Sequence, residues 1–176
     1  MIDFTRNHFE LLGLPARYRV DESALDRAYR DLQNAVHPDR YAAAADADKR
    51  LALQASARVN EAYRTLRDPV ARAEYLLSLR GVNAASEADT RLAVPFLVRQ
   101  LERREQAEEA SDEHDMPRLA ALAGDVREDA AEVATEVERA LDADDDERAR
   151  ARVRELRFLV KLAEDIEALG AAEIDE

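Results

Sequence analysis

The chain has 176 residues, enough for one domain or two small ones, and no cysteine, which excludes disulfides, a thiolate metal site and a cysteine nucleophile. Its 26 Lys+Arg against 39 Asp+Glu leave a net charge of −13, which argues against nucleic-acid binding. Four Gly and five Pro, with Ala, Arg, Glu and Leu abundant, favour a mostly helical protein. No run of about 18 apolar residues exists, and the start MIDFTRNHFE lacks a charged-then-apolar signal pattern. The expectation is a cytoplasmic protein with no membrane partner.

In chain order, residues 7–14 (NHFELLGL) read as a short helix with Phe9, Leu12 and Leu14 apolar, broken by Gly13 and Pro15. Asp21 is a plausible N-cap for a helix of about 22–36, whose Leu25, Ala28, Tyr29, Leu32 and Val36 have the three-and-four spacing of one buried face. Residues 37–47 read as a loop. A helix of about 48–66 follows, with Leu51, Leu53, Ala55, Val59, Ala62, Tyr63 and Leu66 apolar; Asp68-Pro69 then starts another, which stops at Gly81. The two long helices should pack antiparallel.

Residues 82–93 are less periodic and read as a junction. Beyond it come a helix of about 94–111 carrying Phe96, Leu97, Val98 and Leu101, and one from the Asp115–Pro117 cap to about 142. A last helix, capped within Asp144-Asp145-Asp146, runs to about 169. Three amphipathic helices with short connections predict a three-helix bundle. Residues 1–80 carry 13 basic against 12 acidic residues, a net of +1, whereas 81–176 carry 13 against 27, a net of −14. That step suggests two units with different partners.

Catalytic constellations are lacking. His8, His37 and His114 lie on separate elements with no carboxylate at a metal-ligand spacing, and there is no Gly-rich phosphate loop or nucleophile elbow. Carboxylate pairs such as Glu108-Glu109 read as solvated helix faces. The expectation is a protein that catalyses nothing itself and holds no metal or cofactor.

The stretch Val36-His37-Pro38-Asp39-Arg40 lies between the first two long helices. The residue before proline is pushed out of the α region, so His37 should end its helix. Pro38 fixes its own φ and donates no N–H, so Asp39 follows a stiffened turn. Such a tripeptide is poor core and good recognition material, although x-Pro-Asp is also ordinary turn chemistry. Context decides: Tyr29-Arg-Asp-Leu32 precedes it, and Val59-Asn-Glu-Ala-Tyr63-Arg-Thr-Leu66-Arg-Asp-Pro69, Arg72 and Tyr75 follow. Over roughly its first 80 residues the chain resembles a J-domain, the module that stimulates ATP hydrolysis by heat-shock-protein-70-class chaperones. The resemblance implies that His37, Pro38 and Asp39 carry the stimulation and that Arg40 is the usual basic residue of the loop. It also implies that Arg27 and Arg30, three apart on one helix face, dock on an acidic chaperone surface. Asp26 and Asp31 dilute that face, which from the residues alone is an ordinary solvated one.

Further motifs narrow the family. LGLPARY (12–18), RAEYLLSL (72–79), the Phe96-Leu97 helix start and LRFLVKL (156–162) look like HscB, the J-type co-chaperone family of iron–sulfur cluster assembly. That resemblance implies an L-shaped, all-α protein: an amino-terminal J-domain (1–80), a junction (81–93) and a carboxy-terminal three-helix bundle (94–176). Its partners would be an HscA-type chaperone and an IscU-type scaffold protein. The family's scaffold-binding positions fall on Leu97, Val98, Leu101, Glu102, Glu105, Glu109 and Phe158, with Val98 where a family member has Met. By spacing alone Leu97 and Leu101 serve equally well as bundle core. Two rivals are a J-domain adaptor for a different client and a non-chaperone acidic helical interaction protein.

Overall fold

A computed structural model of the chain describes residues 3–37, 45–84 and 92–172. The described residues hold seven α-helices and no strand. The chain divides into two compact units, Met1–Arg80 and Gly81–Glu176.

The first unit contains α1 (His8–Leu12), α2 (Glu22–Val36), α3 (Asp46–Arg67) and α4 (Pro69–Leu79). Each boundary has a local chemical cause. Asn7 and Glu10 form a reciprocal capping box at the start of α1, and Gly13 closes it in the left-handed region at φ 66°. The carboxylate of Asp21 accepts from the Ala24 amide at 3.1 Å, and that of Asp68 from the Ala71 amide at 2.8 Å, with Pro69 in the first turn. Arg72 reaches back to donate to the Leu66 carbonyl at 2.6 Å, satisfying an orphan acceptor at the end of α3.

α2 and α3 run antiparallel. The pairs Asp26–Tyr63, Tyr29–Asn60 and Gln33–Ser56 step in opposite directions along the two helices. The buried face of α3 is Ala52, Ala55, Val59, Ala62 and Leu66. Leu53, which the sequence groups with the apolar positions of this helix, stands 63% exposed because it falls one residue off that three-and-four register. Small residues at 52, 55 and 62 let neighbouring backbones approach, while Phe9, Leu25 and Leu77 fill the space between helices.

The second unit is an up-down-up bundle of α5 (Val94–Asp112), α6 (Met116–Asp142) and α7 (Asp146–Ala172). Its two turns share one design. His114 and Asp144 adopt left-handed φ of 57° and 54°; the next residues, Asp115 and Asp145, send their N–H back to Ala110 at 2.8 Å and Ala140 at 2.9 Å. The same two aspartates then cap the following helix, accepting from Arg118 N at 3.0 Å and Arg148 N at 3.1 Å. α6 and α7 supply the apolar core, with Leu119, Val126, Val137 and Leu141 against Val153, Leu156, Leu159, Leu162 and Ile166.

α5 contributes differently: its buried residues are Gln100, Ala107 and Ala110. No helix among the described residues is long and apolar enough to cross a membrane.

Candidate functional site

The chaperone-facing candidates gather on α2 and just beyond it. α2 stops at Val36, which is buried against Ala55 and Val59 with Leu11, Tyr29 and Leu32 packed around them. His37, immediately after this anchor, is exposed and has φ −56° and ψ 128°, the extended ψ that a following proline imposes. Pro38, Asp39 and Arg40 lie outside the described residues. Arg27 and Arg30 are both exposed on α2. Of the two acids that dilute their face, Asp26 is committed to α3: its carboxylate accepts from the Tyr63 hydroxyl at 2.8 Å and from Arg67 at 3.3 Å.

A ladder of side chains fixes the two helices that flank the tripeptide. The Tyr29 and Tyr63 rings stack at 4.1 Å, and the Tyr29 hydroxyl donates to Asn60 Oδ1 at 2.9 Å. Gln33 also donates to Asn60 and accepts from Ser56. The Arg67 guanidinium lies 5.6 Å from the centre of the Tyr63 ring and takes that hydroxyl as well as Asp26, contacts that hold its pKa above its ordinary value. Sequence reading grouped Tyr29 and Tyr63 with the apolar face; their hydroxyl partners across the helix pair were not visible in it.

The second constellation lies on α5. Its inner face is Gln100, Ala107 and Ala110, with Arg103 donating both to Gln100 Oε1 at 3.1 Å and to Asp129 of α6 at 2.7 Å. This leaves Leu97 (40%), Val98 (49%) and Leu101 (58%) exposed, so these side chains are not bundle core. Val94, one turn earlier on the same stripe, is exposed as well. The sequence reading missed it, although its spacing of three and four from Leu97 and Val98 was there to be counted. Phe158 of α7 meets α5 through Phe96, edge to face at 5.7 Å, and is half-buried.

The acidic positions separate. Glu102 and Glu105 are exposed and, among the described residues, have no ion-pair partner; Glu109 is held by Arg118 at 2.5 Å. The arginines next to Glu102 in sequence are committed elsewhere, Arg103 to Asp129 and Arg104 to Asp165 at 3.1 Å.

A cleft of about 250 Å³ lies on the inner side of α5, lined among others by Phe96, Gln100, Asp129 and Arg152. Its walls are cross-linked by Arg103–Asp129 and by Arg152 to Glu136 at 2.9 Å and Glu155 at 2.5 Å. It therefore reads as a polar seam of the bundle. Among the described residues no group of three or more His, Asp or Glu is placed to hold a metal ion.

An antiparallel hairpin whose first helix ends at a histidine before proline, followed by a separate bundle with an outward apolar stripe, defines a two-part J-domain protein. Residues 7–75 match the family model described as a DnaJ domain, and residues 94–167 match that described as the HSCB C-terminal oligomerisation domain. The Co-chaperone protein HscB homolog of Burkholderia multivorans is 45% identical over 168 residues, 96% of each chain. Chaperone HscB from Vibrio cholerae superposes with a TM-score of 0.84 at 34% identity, covering 95% of this chain and 99% of that one. Human co-chaperone protein HscB superposes with 0.87 at 30% identity, covering 94% and 83%. The chain belongs to the HscB family of co-chaperones.

Proposed function

We propose that this protein serves iron–sulfur cluster biogenesis by coupling two partners. Its J-domain stimulates ATP hydrolysis by an HscA-type chaperone of the heat-shock-protein-70 class, and its bundle binds and delivers an IscU-type scaffold protein. His37, Pro38 and Asp39 carry the stimulation. Asp39 offers a carboxylate to a cationic group of the chaperone, with Arg40, Arg27 and Arg30 as accompanying positive charge. A partly desolvated pair of that kind can cost a few kcal/mol when one member is removed.

The observation that carries the scaffold assignment is the exposure of Leu97, Val98 and Leu101 on a helix that packs inward through Gln100 and alanines. Leaving such side chains half in water forgoes roughly 1 kcal/mol apiece of burial free energy. A partner surface recovers that term; the bundle's own core does not use it. Glu102 and Glu105 beside the leucines, with Phe158 at the edge, give an apolar anchor ringed by charge. The test is the steady-state ATPase rate of the chaperone with and without this protein and the scaffold. Stimulation by the co-chaperone alone, increased further by the scaffold, is the expected result. No stimulation in either case would overturn the reading.

A further inference from the structure

The chain passes from the first unit to the second between Arg80 and Gly81, just after α4 ends at Leu79. Gly81 stands in the left-handed region at φ 78°, the usual conformation one residue past a helix cap. The sequence marks 81–93 as one weakly periodic junction, but the structure anchors its near end. Gly81 and Asn83 are exposed, whereas Ala84 is buried. The Ala84 carbonyl accepts from the Arg157 guanidinium of α7 at 3.2 Å, in a part-buried contact between residues far apart in sequence. A backbone acceptor outside regular structure needs a partner where water is scarce, and a charged donor is a strong one. The second unit therefore takes hold of the chain at Ala84, ten residues before α5 begins at Val94.

The donor stands next to Phe158, whose ring meets Phe96 edge to face near the start of α5. One turn of α7 thus holds both the incoming chain and the first turn of the next helix. The clasp also sets a length. From Leu79 to Ala84 the leash is five residues; reckoned to Val94 it is fifteen. As flexible chains these have root-mean-square spans of about 12 Å and about 21 Å. Effective concentration across a leash falls as the −3/2 power of its length, so tripling it costs about fivefold.

Resting on the two-partner reading above, we propose that Arg157 is a positioning residue for coupling: by clasping Ala84 it keeps the leash to the J-domain short, so that a chaperone engaged by the J-domain and a scaffold held by the bundle meet at high effective concentration. This role requires no contact between Arg157 and either partner.

The test measures the chaperone's ATPase rate with the full-length protein alone and with saturating scaffold added, alongside scaffold affinity by calorimetry and thermal melting of each variant. Arg157→Met keeps the apolar stem and removes the donor. Stimulation by the protein alone and scaffold affinity should stay within about twofold, while the extra stimulation brought by the scaffold falls about three- to fivefold. Arg157→Lys, which still donates, should retain most of it. A ten-residue Gly-Ser insertion between Arg80 and Gly81 lengthens the leash with the clasp intact and should reproduce the loss; if Arg157→Met unfolds the bundle, this variant decides. Full extra stimulation by Arg157→Met overturns the positioning role, and full extra stimulation by the insertion overturns the leash argument. A loss in Arg157→Met that tracks weakened scaffold affinity would place the residue in docking and overturn coupling. If the scaffold adds no stimulation with the wild-type protein, the two-partner reading itself falls, and this inference with it.

Discussion

Tyr63 of α3 donates its hydroxyl hydrogen to Asp26 of α2 at 2.8 Å, binding together the two helices that flank the His37 turn. The contact is part-buried, its acceptor is charged, and the Tyr63 ring lies stacked on Tyr29. Tyr63→Phe keeps the stack and removes the bond. We expect a loss of about 1.5–3 kcal/mol, the usual worth of a hydrogen bond to a charged group. Thermal denaturation with hydrogen exchange at the α2 amides measures it. Unchanged exchange would mean that the remaining ladder and the apolar face hold the hairpin without this bond.

His37→Gln and Asp39→Asn should each abolish stimulation of the chaperone's ATPase while leaving stability within about 0.5 kcal/mol. The reason is local: His37 is exposed and lies outside the buried face that ends at Val36. Parallel measurements of ATPase rate and melting temperature decide it. Full stimulation by Asp39→Asn removes the role assigned to that carboxylate.

The triple variant Leu97→Ala, Leu101→Ala, Phe158→Ala should lower scaffold affinity by at least about tenfold, or 1.4 kcal/mol. The two leucines are exposed, so their replacement should barely move bundle stability; Phe158 gives up its edge contact with Phe96 and should cost somewhat more. Calorimetry against the scaffold, with circular dichroism of the bundle, separates the effects. A bundle that melts on loss of the leucines alone would return them to the core.

His8 predicts a pH dependence of the first unit. Its ring is buried and stacked on Tyr75 at 4.2 Å, and among the described residues its Nδ1 has no hydrogen-bond partner. Burial pushes the imidazole below its ordinary value of about 6.5, the nearby Arg58 pushes it further, and Glu61 opposes. The unfolded chain therefore binds the proton more readily than the folded one. Stability from this residue is fully present above the ordinary histidine value and is lost as pH falls from there through the lower folded value. His8→Phe, which retains a ring against Tyr75 and the backbone N–H to its hydroxyl, should flatten that dependence. Melting temperature against pH from 7.5 to 5 reads it; identical slopes for both proteins would remove His8 as the source.

The two expectations for α5 show where reading a sequence stops. Spacing places Leu97, Val98 and Leu101 on one stripe, but a stripe is a property of one helix, and which side faces the core is decided by what the other helices offer. Here α6 and α7 already bury their long aliphatic faces against each other, and α5 joins them through small Ala107 and Ala110 and a buried Gln100 satisfied by Arg103. Likewise LERREQAEE shows acids and arginines side by side, without showing that Arg103 pairs with Asp129 of α6 and Arg104 with Asp165 of α7, while Glu102 and Glu105 have no ion-pair partner among the described residues.

What the sequence determined by itself was everything governed by neighbours along the chain. Helix starts at Asp21, Asp68 and Asp115, the stop before Pro38, and the antiparallel hairpin follow from caps, proline sterics and a repeat of three and four, which act over a turn or two. The tertiary structure alone decided the partners of side chains distant in sequence: Asp26 with Tyr63, His8 against Tyr75, Glu109 with Arg118 across the turn, and the outward face of α5. The reason is that burial and pairing depend on which surfaces compete for the same space, and that competition is settled only when the helices are assembled.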